Sequence, residues 1–182
     1  MGTRGIYGIQ KNNEQKLMYN HFDSYPEGLG MTVLHFISNH KIQDIELMFD
    51  NIIPVQPGQK PTQEQIDLFK DANVLNLNVS NRKEDDWYCL TRELQGNPEA
   101  LLELTKKSKV PMEIDNNFIN DSLFCEYGYV INLDDKTLDY YIGFQEDGDG
   151  FGPCKLAKKY KFDDITSSSL DAIVTEMEKL SE

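Results

Sequence analysis

Residues Leu123–Phe144 read LFCEYGYVINLDDKTLDYYIGF. Two runs rich in Tyr, Phe, Val and Ile flank the polar triplet Asp134-Asp135-Lys136. Aromatic and β-branched residues suit a pleated, half-buried surface, and a short polar turn between two such runs marks a β-hairpin. This is the clearest hairpin in the chain. Working outward from it, the opening residues carry a related pattern: GIYGIQ and QKLMYNHF flank KNNE, whose Asn12 and Asn13 are good turn residues. A second hairpin is therefore expected from Thr3 to Phe22. One more strand candidate, KLAKKYKF, follows the glycine-rich EDGDGFGP.

Between and after the hairpins the apolar period changes to that of a helix. MTVLHFISNH places Val33, Leu34 and Ile37 at helical spacing, and KIQDIELMFDNII repeats Ile42, Ile45, Met48, Phe49 and Ile52 at threes and fours. PVQPGQKP predicts a loop, and Thr62 with Gln65 predicts a capping box ahead of Ile66 and Phe69. EDDWYCLTRELQG puts acids in a first turn, Trp87, Leu90 and Leu94 on one side, and Gly96 at the stop. Asn97 and Pro98 should open another short helix running to Leu104. SSSLDAIVTEMEKL predicts a capped C-terminal helix with Leu170, Ile173, Val174, Met177 and Leu180 inward. Two hairpins separated by helices, with no βαβ rhythm to suggest a parallel sheet, define an α+β fold. The expectation is one domain over residues 1–182, with an antiparallel sheet built from the N-terminal and C-terminal hairpins and packed with several helices.

Composition bounds the function. The 182 residues carry 31 acidic against 18 basic side chains, a formal net charge of -13. Such a surface repels nucleic-acid phosphates and anionic membrane, so a partner met through charge should be basic, for example a protein that itself binds nucleic acid. Solubility alone is the plainer account of the same charge. Nine Tyr, nine Phe and one Trp supply core material that a disordered chain lacks. Cys89, Cys125 and Cys154 are far apart and odd in number, without metal-ligand spacing, and read as reduced thiols of a cytosolic protein. MGTRGIYG has no apolar signal core, and no later run approaches a membrane span.

The densest polar cluster is YNHFDSYPEGLG at residues 19–30. A catalytic reading pairs Ser24 with His21 or His35 and orients the histidine through Asp23. Strand alternation places His21 on the face of Asp23 and not of Ser24. The structural reading has Asn20, Asp23 and Ser24 bonding turn amides while Tyr19 and Phe22 pack, because Pro26, Gly28 and Gly30 bend the chain there. The second is the stronger. EDGDGFG begins like a calcium loop, but Phe151 and Lys158 stand where ligands are required. His35 and His40 lack a third partner for zinc, and TRGIYG has neither dinucleotide spacing nor a phosphate-loop lysine. No cofactor or metal is expected.

GTRGIYG, the hairpin after it, YNHFDSYPEGLG and CEYGYVINLDDKTLDYYIG together resemble a group of proteins found in phages, mobile elements and some larger genomes. Some of that group begin Met-Cys before a similar Arg-Gly, the start of an N-terminal-nucleophile amidohydrolase. Such chemistry needs a Cys, Ser or Thr freed at the N-terminus. Loss of Met1 here would expose Gly2, with Thr3 internal, so the resemblance implies a hydrolase or a degenerate relative whose pocket would be Arg4, Asn20, His21, Asp23 and Ser24. Length, acidity and the incomplete active site also resemble an anti-CRISPR protein that inhibits type II-A Cas9 without catalysis, in the host bacterial cytoplasm. Cas9 holds nucleic acid in a positively charged channel. The carboxylates this resemblance offers for contact are Glu84, Asp85, Asp86, Asp134, Asp135, Glu146, Asp147 and Asp149.

Overall fold

A computed structural model describes residues 2–182. Two strands open it, β1 (Gly5–Lys11) and β2 (Glu14–Asn20), followed by a π-helical turn at Pro26–Gly30 and the helices α1 (Met31–Asn39) and α2 (Ile42–Asn51). Then come β3 (Ile52–Val55), α3 (Gln63–Asp71), α4 (Trp87–Leu90), α5 (Pro98–Thr105) and β4 (Val110–Glu113). The C-terminal part holds β5 (Tyr127–Asn132), β6 (Thr137–Ile142), the two-residue strands β7 (Glu146–Asp147) and β8 (Gly150–Phe151), β9 (Lys155–Lys161) and α6 (Leu170–Leu180).

Both expected hairpins form. Asn12 and Asn13 turn β1 into β2 with φ of 53° and 61°, the left-handed pair that a two-residue hairpin of matching twist requires. β5 and β6 pair from Tyr127–Ile142 to Asn132–Thr137, and β9 adds to β6 with a bulge at Tyr140/Tyr141. The sheet order is β2-β1-β5-β6-β9. The fold is thus α+β with a mostly antiparallel sheet. One junction departs from the expectation: β1 and β5 run parallel, Gly5 opposite Tyr127 through Gln10 opposite Asn132. No βαβ rhythm announces it, because the crossover between them contains nearly all the helices. β3 and β4 form a second parallel pair; sequence reading gave a helix tail and a loop across β3 and assigned no element at β4. Each is four residues long and contains a proline, Pro54 or Pro111, which an edge strand tolerates.

The helices form where the apolar spacing placed them, except that the one expected across residues 84–96 is a single turn, α4, with Asp86 as its cap, and after Thr91 the chain tightens to a 3-10 turn at Arg92–Leu94. Thr62 and Gln65 close the expected reciprocal cap on α3, and the Asn97 side chain accepts from the Ala100 amide to open α5. Two details of the last helix differ. Ser169 makes no capping bond to α6, its hydroxyl bonding the Asp164 and Thr166 carbonyls instead, and Leu180 is exposed at the fraying end. One face of the sheet, with Tyr7, Ile9, Met18, Tyr129, Ile131, Tyr140 and Tyr160, enters the main core with Leu34, Phe36, Met48, Leu101 and Met177 of the helices. The opposite face keeps a smaller cluster, Ile6, Leu17, Val130, Cys125 and Cys154, under Phe118 and Ile119. The last two cysteines, distant in sequence, meet here as free thiols, with the Cys154 sulfur 3.2 Å from the Cys125 carbonyl.

The sheet edges are managed differently. The outer edge of β2 is covered by the chain after β4: the Asp115 amide donates to the Leu17 carbonyl, while Asn116 accepts from the Leu17 amide and donates to the Gln15 carbonyl. β9 instead carries Lys155, Lys158, Lys159 and Lys161, charges that oppose strand addition. Lys16, buried on β2, donates to the Phe49 and Ile52 carbonyls at 2.7 and 2.8 Å and so fixes the end of α2 to the sheet. Its burial lowers the ammonium pKa.

Candidate functional site

β1 and β5 begin, and β2 and β6 end, at one end of the sheet, so residues 2–4, 21–25, 122–126 and 143–154 gather there. The bend at 20–24 is held by three side chains. The Asn20 amide nitrogen donates to the Phe22 carbonyl at 2.6 Å and to the Ser24 hydroxyl at 2.8 Å, and the Tyr129 hydroxyl donates to the Ser24 carbonyl at 2.9 Å. Asp23 turns with φ of 53°, and its carbonyl accepts from the Leu29 amide. The polar cluster therefore builds the bend, though through carbonyls and side chains and not through the turn amides expected. Phe22 does not pack inward as expected: the bend swings it out, 47% exposed.

Of the predicted pocket residues, Arg4, Asn20 and His21 come together at this end. Ser24 is fully buried behind the bend, its hydroxyl engaged by Asn20, and Asp23 points to solvent beside Tyr25. His21 bonds neither of them. Its Nδ1 lies 2.6 Å from the Tyr19 hydroxyl, and its backbone N–H donates to the Gln95 side chain. A Ser-His-Asp arrangement is not assembled. Burial, then the charges of Arg4 and Arg92, lowers the His21 pKa. A β-carbon on residue 2 would lie 2.6 Å from the His21 carbonyl oxygen, so the chain is shaped for Gly2 and leaves no room for a nucleophilic side chain at that position.

Around His21 stand groups that no local sequence signal reveals. The Phe22 ring meets the His21 ring edge-on at 4.4 Å, and the Tyr88 ring lies 6.1 Å away. The Arg92 guanidinium sits over Phe22 and Tyr88, 5.6 and 5.8 Å from their centroids, and that of Arg4 sits 4.5 Å over Phe124. Tyr88, Arg92 and Gln95 come from the helix and turn about 70 residues downstream in sequence; only the folded chain joins them to the bend. On the segments at the same end of the sheet, Leu123, Phe124, Phe144 and Phe151 are each 40–56% exposed.

The eight candidate carboxylates do not share a face. Glu84 pairs with Lys70 and Asp85 with Lys60, and Asp86 caps α4 through the Tyr88 amide. Asp134 accepts from the Asn12 and Asn13 amides at 2.7 and 2.9 Å, tying one hairpin turn to the other. Asp135 pairs with Lys159. These five were offered for contact with a partner, yet each has an internal structural partner. Glu146, Asp147 and Asp149 make no ion pair among the described residues and stand on the small β7–β8 hairpin, next to the exposed aromatic residues and a strand's length from Asp134. The EDGDGFG stretch is that hairpin, turning at Gly148 with φ of 60°.

Among the described residues no group of three or more His, Cys, Asp or Glu is placed to hold a metal ion, and no helix is long and apolar enough to cross a membrane. His40 bonds Glu99 at 2.7 Å, while His35 is exposed on α1. The chain matches no protein-family model, no curated protein and no solved structure.

Proposed function

We propose that this chain is a binding protein that docks, through the sheet end, onto a basic nucleic-acid-handling protein and blocks it without turnover. The observation that carries this is the set of exposed apolar side chains on the segments at this end of the sheet, Phe22, Leu123, Phe124, Phe144 and Phe151, with Glu146, Asp147 and Asp149 on the same small hairpin as Phe151. Exposed aromatic clusters with a polar rim are uncommon on surfaces that meet only water, and aromatic and arginine side chains dominate the energetics of protein interfaces. The net charge of -13 supports a positively charged partner by steering the encounter. The specific partner we propose is guide-loaded Cas9, which the sequence resemblance implies and whose nucleic-acid channel supplies the complementary charge. The amidohydrolase alternative draws support from His21 beside Tyr19, its pKa lowered by burial and then by the charges of Arg4 and Arg92, but residue 2 offers it no nucleophile.

The test is plasmid cleavage by guide-loaded Cas9 titrated with the protein at two salt concentrations. Near-stoichiometric loss of cleavage is expected, weaker at high salt. A Glu146→Lys, Asp147→Lys, Asp149→Lys variant should lose that inhibition with an unchanged circular dichroism spectrum, because none of the three has an internal ion pair. Unimpeded cleavage across several Cas9 orthologues, or full inhibition by the triple variant, would overturn the proposal.

A further inference from the structure

A cavity of about 40 Å³ lies between β1, β2, α4 and β4. Tyr7, Tyr19, Trp87 and Tyr88 line it together with a single carboxylate, Glu113, and no lysine or arginine does. Two of these groups lack the partners that their burial calls for. The Tyr7 hydroxyl is enclosed and has no hydrogen-bond partner among the described residues. Glu113 is half-buried at the end of β4 and makes no ion pair among them. Burial raises its carboxyl pKa, the Gly58 amide works against that, and the charges of Asp115 and Asp86 add to it. Both orphans are acceptors, and an acceptor left unpartnered inside a protein is costly. Two of the lining donors, by contrast, are already spent: the Trp87 indole N–H donates to the Gln59 carbonyl and the Thr91 hydroxyl to the Trp87 carbonyl. Arg92, 5.8 Å from the Tyr88 centroid, does not line the cavity.

We propose that this cavity binds a small organic ammonium, free or at the end of a lysine side chain. Aromatic rings attract a cation electrostatically, and methylated ammonium groups are the ligands that aromatic enclosures recognise. Glu113 supplies the counter-charge, and the Tyr7 hydroxyl an acceptor for an N–H. The volume holds about three water molecules. That matches the bulk of an ammonium carrying a few methyl groups and is too small for a sugar or a nucleobase. A neutral ligand of the same size would leave the carboxylate unpaired, and an anion would be repelled by it. The site does not depend on the docking proposal above, since it uses none of Phe22, Leu123, Phe124, Phe144 or Phe151.

Trp87 is the only tryptophan in the chain, so its fluorescence reports on this cavity. The full chain would be titrated at constant ionic strength with methylammonium, tetramethylammonium and N-acetyl-trimethyllysine amide, and with neutral tert-butanol as the control. A saturable change in Trp87 emission with the ammonium ligands, and none with tert-butanol, is expected. Glu113→Gln should weaken binding by about tenfold. Tyr88→Leu, at a half-buried ring of the wall, should weaken it too, while Glu64→Gln, at an exposed carboxylate outside the cavity, should not. Tighter binding of the trimethyllysine amide than of tetramethylammonium would assign a side-chain source, and equal or weaker binding a free ammonium; either supports the site. The proposal is overturned if no ammonium perturbs Trp87 saturably, if tert-butanol does so as well as they do, or if a Glu113→Gln or Tyr88→Leu protein that melts like the wild type binds with wild-type affinity.

Discussion

Replacing Asn20 by alanine tests whether the polar cluster at residues 19–24 is a hinge built for shape. Asn20 is buried, and its side chain makes two bonds, to the Phe22 carbonyl and to a Ser24 hydroxyl that is itself fully buried. Each lost bond costs about 1 kcal/mol, and a buried hydroxyl left without its donor adds to that, giving a total of about 2–3 kcal/mol. For a chain of this size that corresponds to a fall in melting temperature of roughly 5–10 °C. Ser24→Ala removes one of the two bonds and leaves the bond from Tyr129 to the Ser24 carbonyl, so about 2–4 °C is expected. Because the two residues share a bond, the double variant should lose less than the sum, with a coupling of about 1 kcal/mol. Thermal and urea melts followed by circular dichroism measure all three. An Asn20→Ala protein melting within a degree of wild type, or strict additivity of the pair, would refute the account of the bend. A Cas9 assay well below both melting temperatures adds a second readout, since loosening this hinge should displace His21 and Phe22 and weaken docking.

Two further outcomes are expected. Lys16→Met leaves the Phe49 and Ile52 carbonyls without their donor and should destabilise by about 2 kcal/mol in urea titrations; stability equal to wild type would show that water replaces the ammonium there. The folded-state pKa of His21 lies below its unfolded value near 6.5, so the unfolded chain binds more protons in that interval. Stability should therefore fall as pH drops below about 6.5 and level off beneath the folded pKa. His21→Asn should remove that component of the pH profile of the melting temperature; an unchanged profile would contradict the assignment.

Much of the fold was legible because its cues are local. Asn12-Asn13 and the Asp134–Lys136 turn announce their hairpins, and the apolar spacing of α1, α2, α3 and α5 needs only a few neighbouring residues to be recognised. β3 and β4 were hidden because four residues with a proline carry no period, and the parallel β1–β5 junction because nothing near either strand encodes the other. The site divides in the same way. Asn20 and Ser24 show their bending role beside Pro26 and Gly28, whereas Phe22, Tyr88, Arg92 and Phe124 acquire meaning only when chain ends far apart in sequence meet. The acidic residues misled for a related reason: Asp134 looks like any solvated turn residue until the other hairpin's amides arrive to meet it.

The parallel β1–β5 junction also governs how the molecule is made. During synthesis the first hairpin emerges with one edge of β1 bare, and its pairing strand follows more than a hundred residues later. Closing so long a loop is slow, and an unpaired strand edge invites association with other chains meanwhile. The first hairpin must either wait in a nascent chain or be shielded by one of the cell's chaperones. The segments at 122–126 and 143–154 join those at 2–4 and 21–25 only once β5 pairs with β1, so chains truncated before β5 should lack the exposed aromatic residues of that end of the sheet and should not dock.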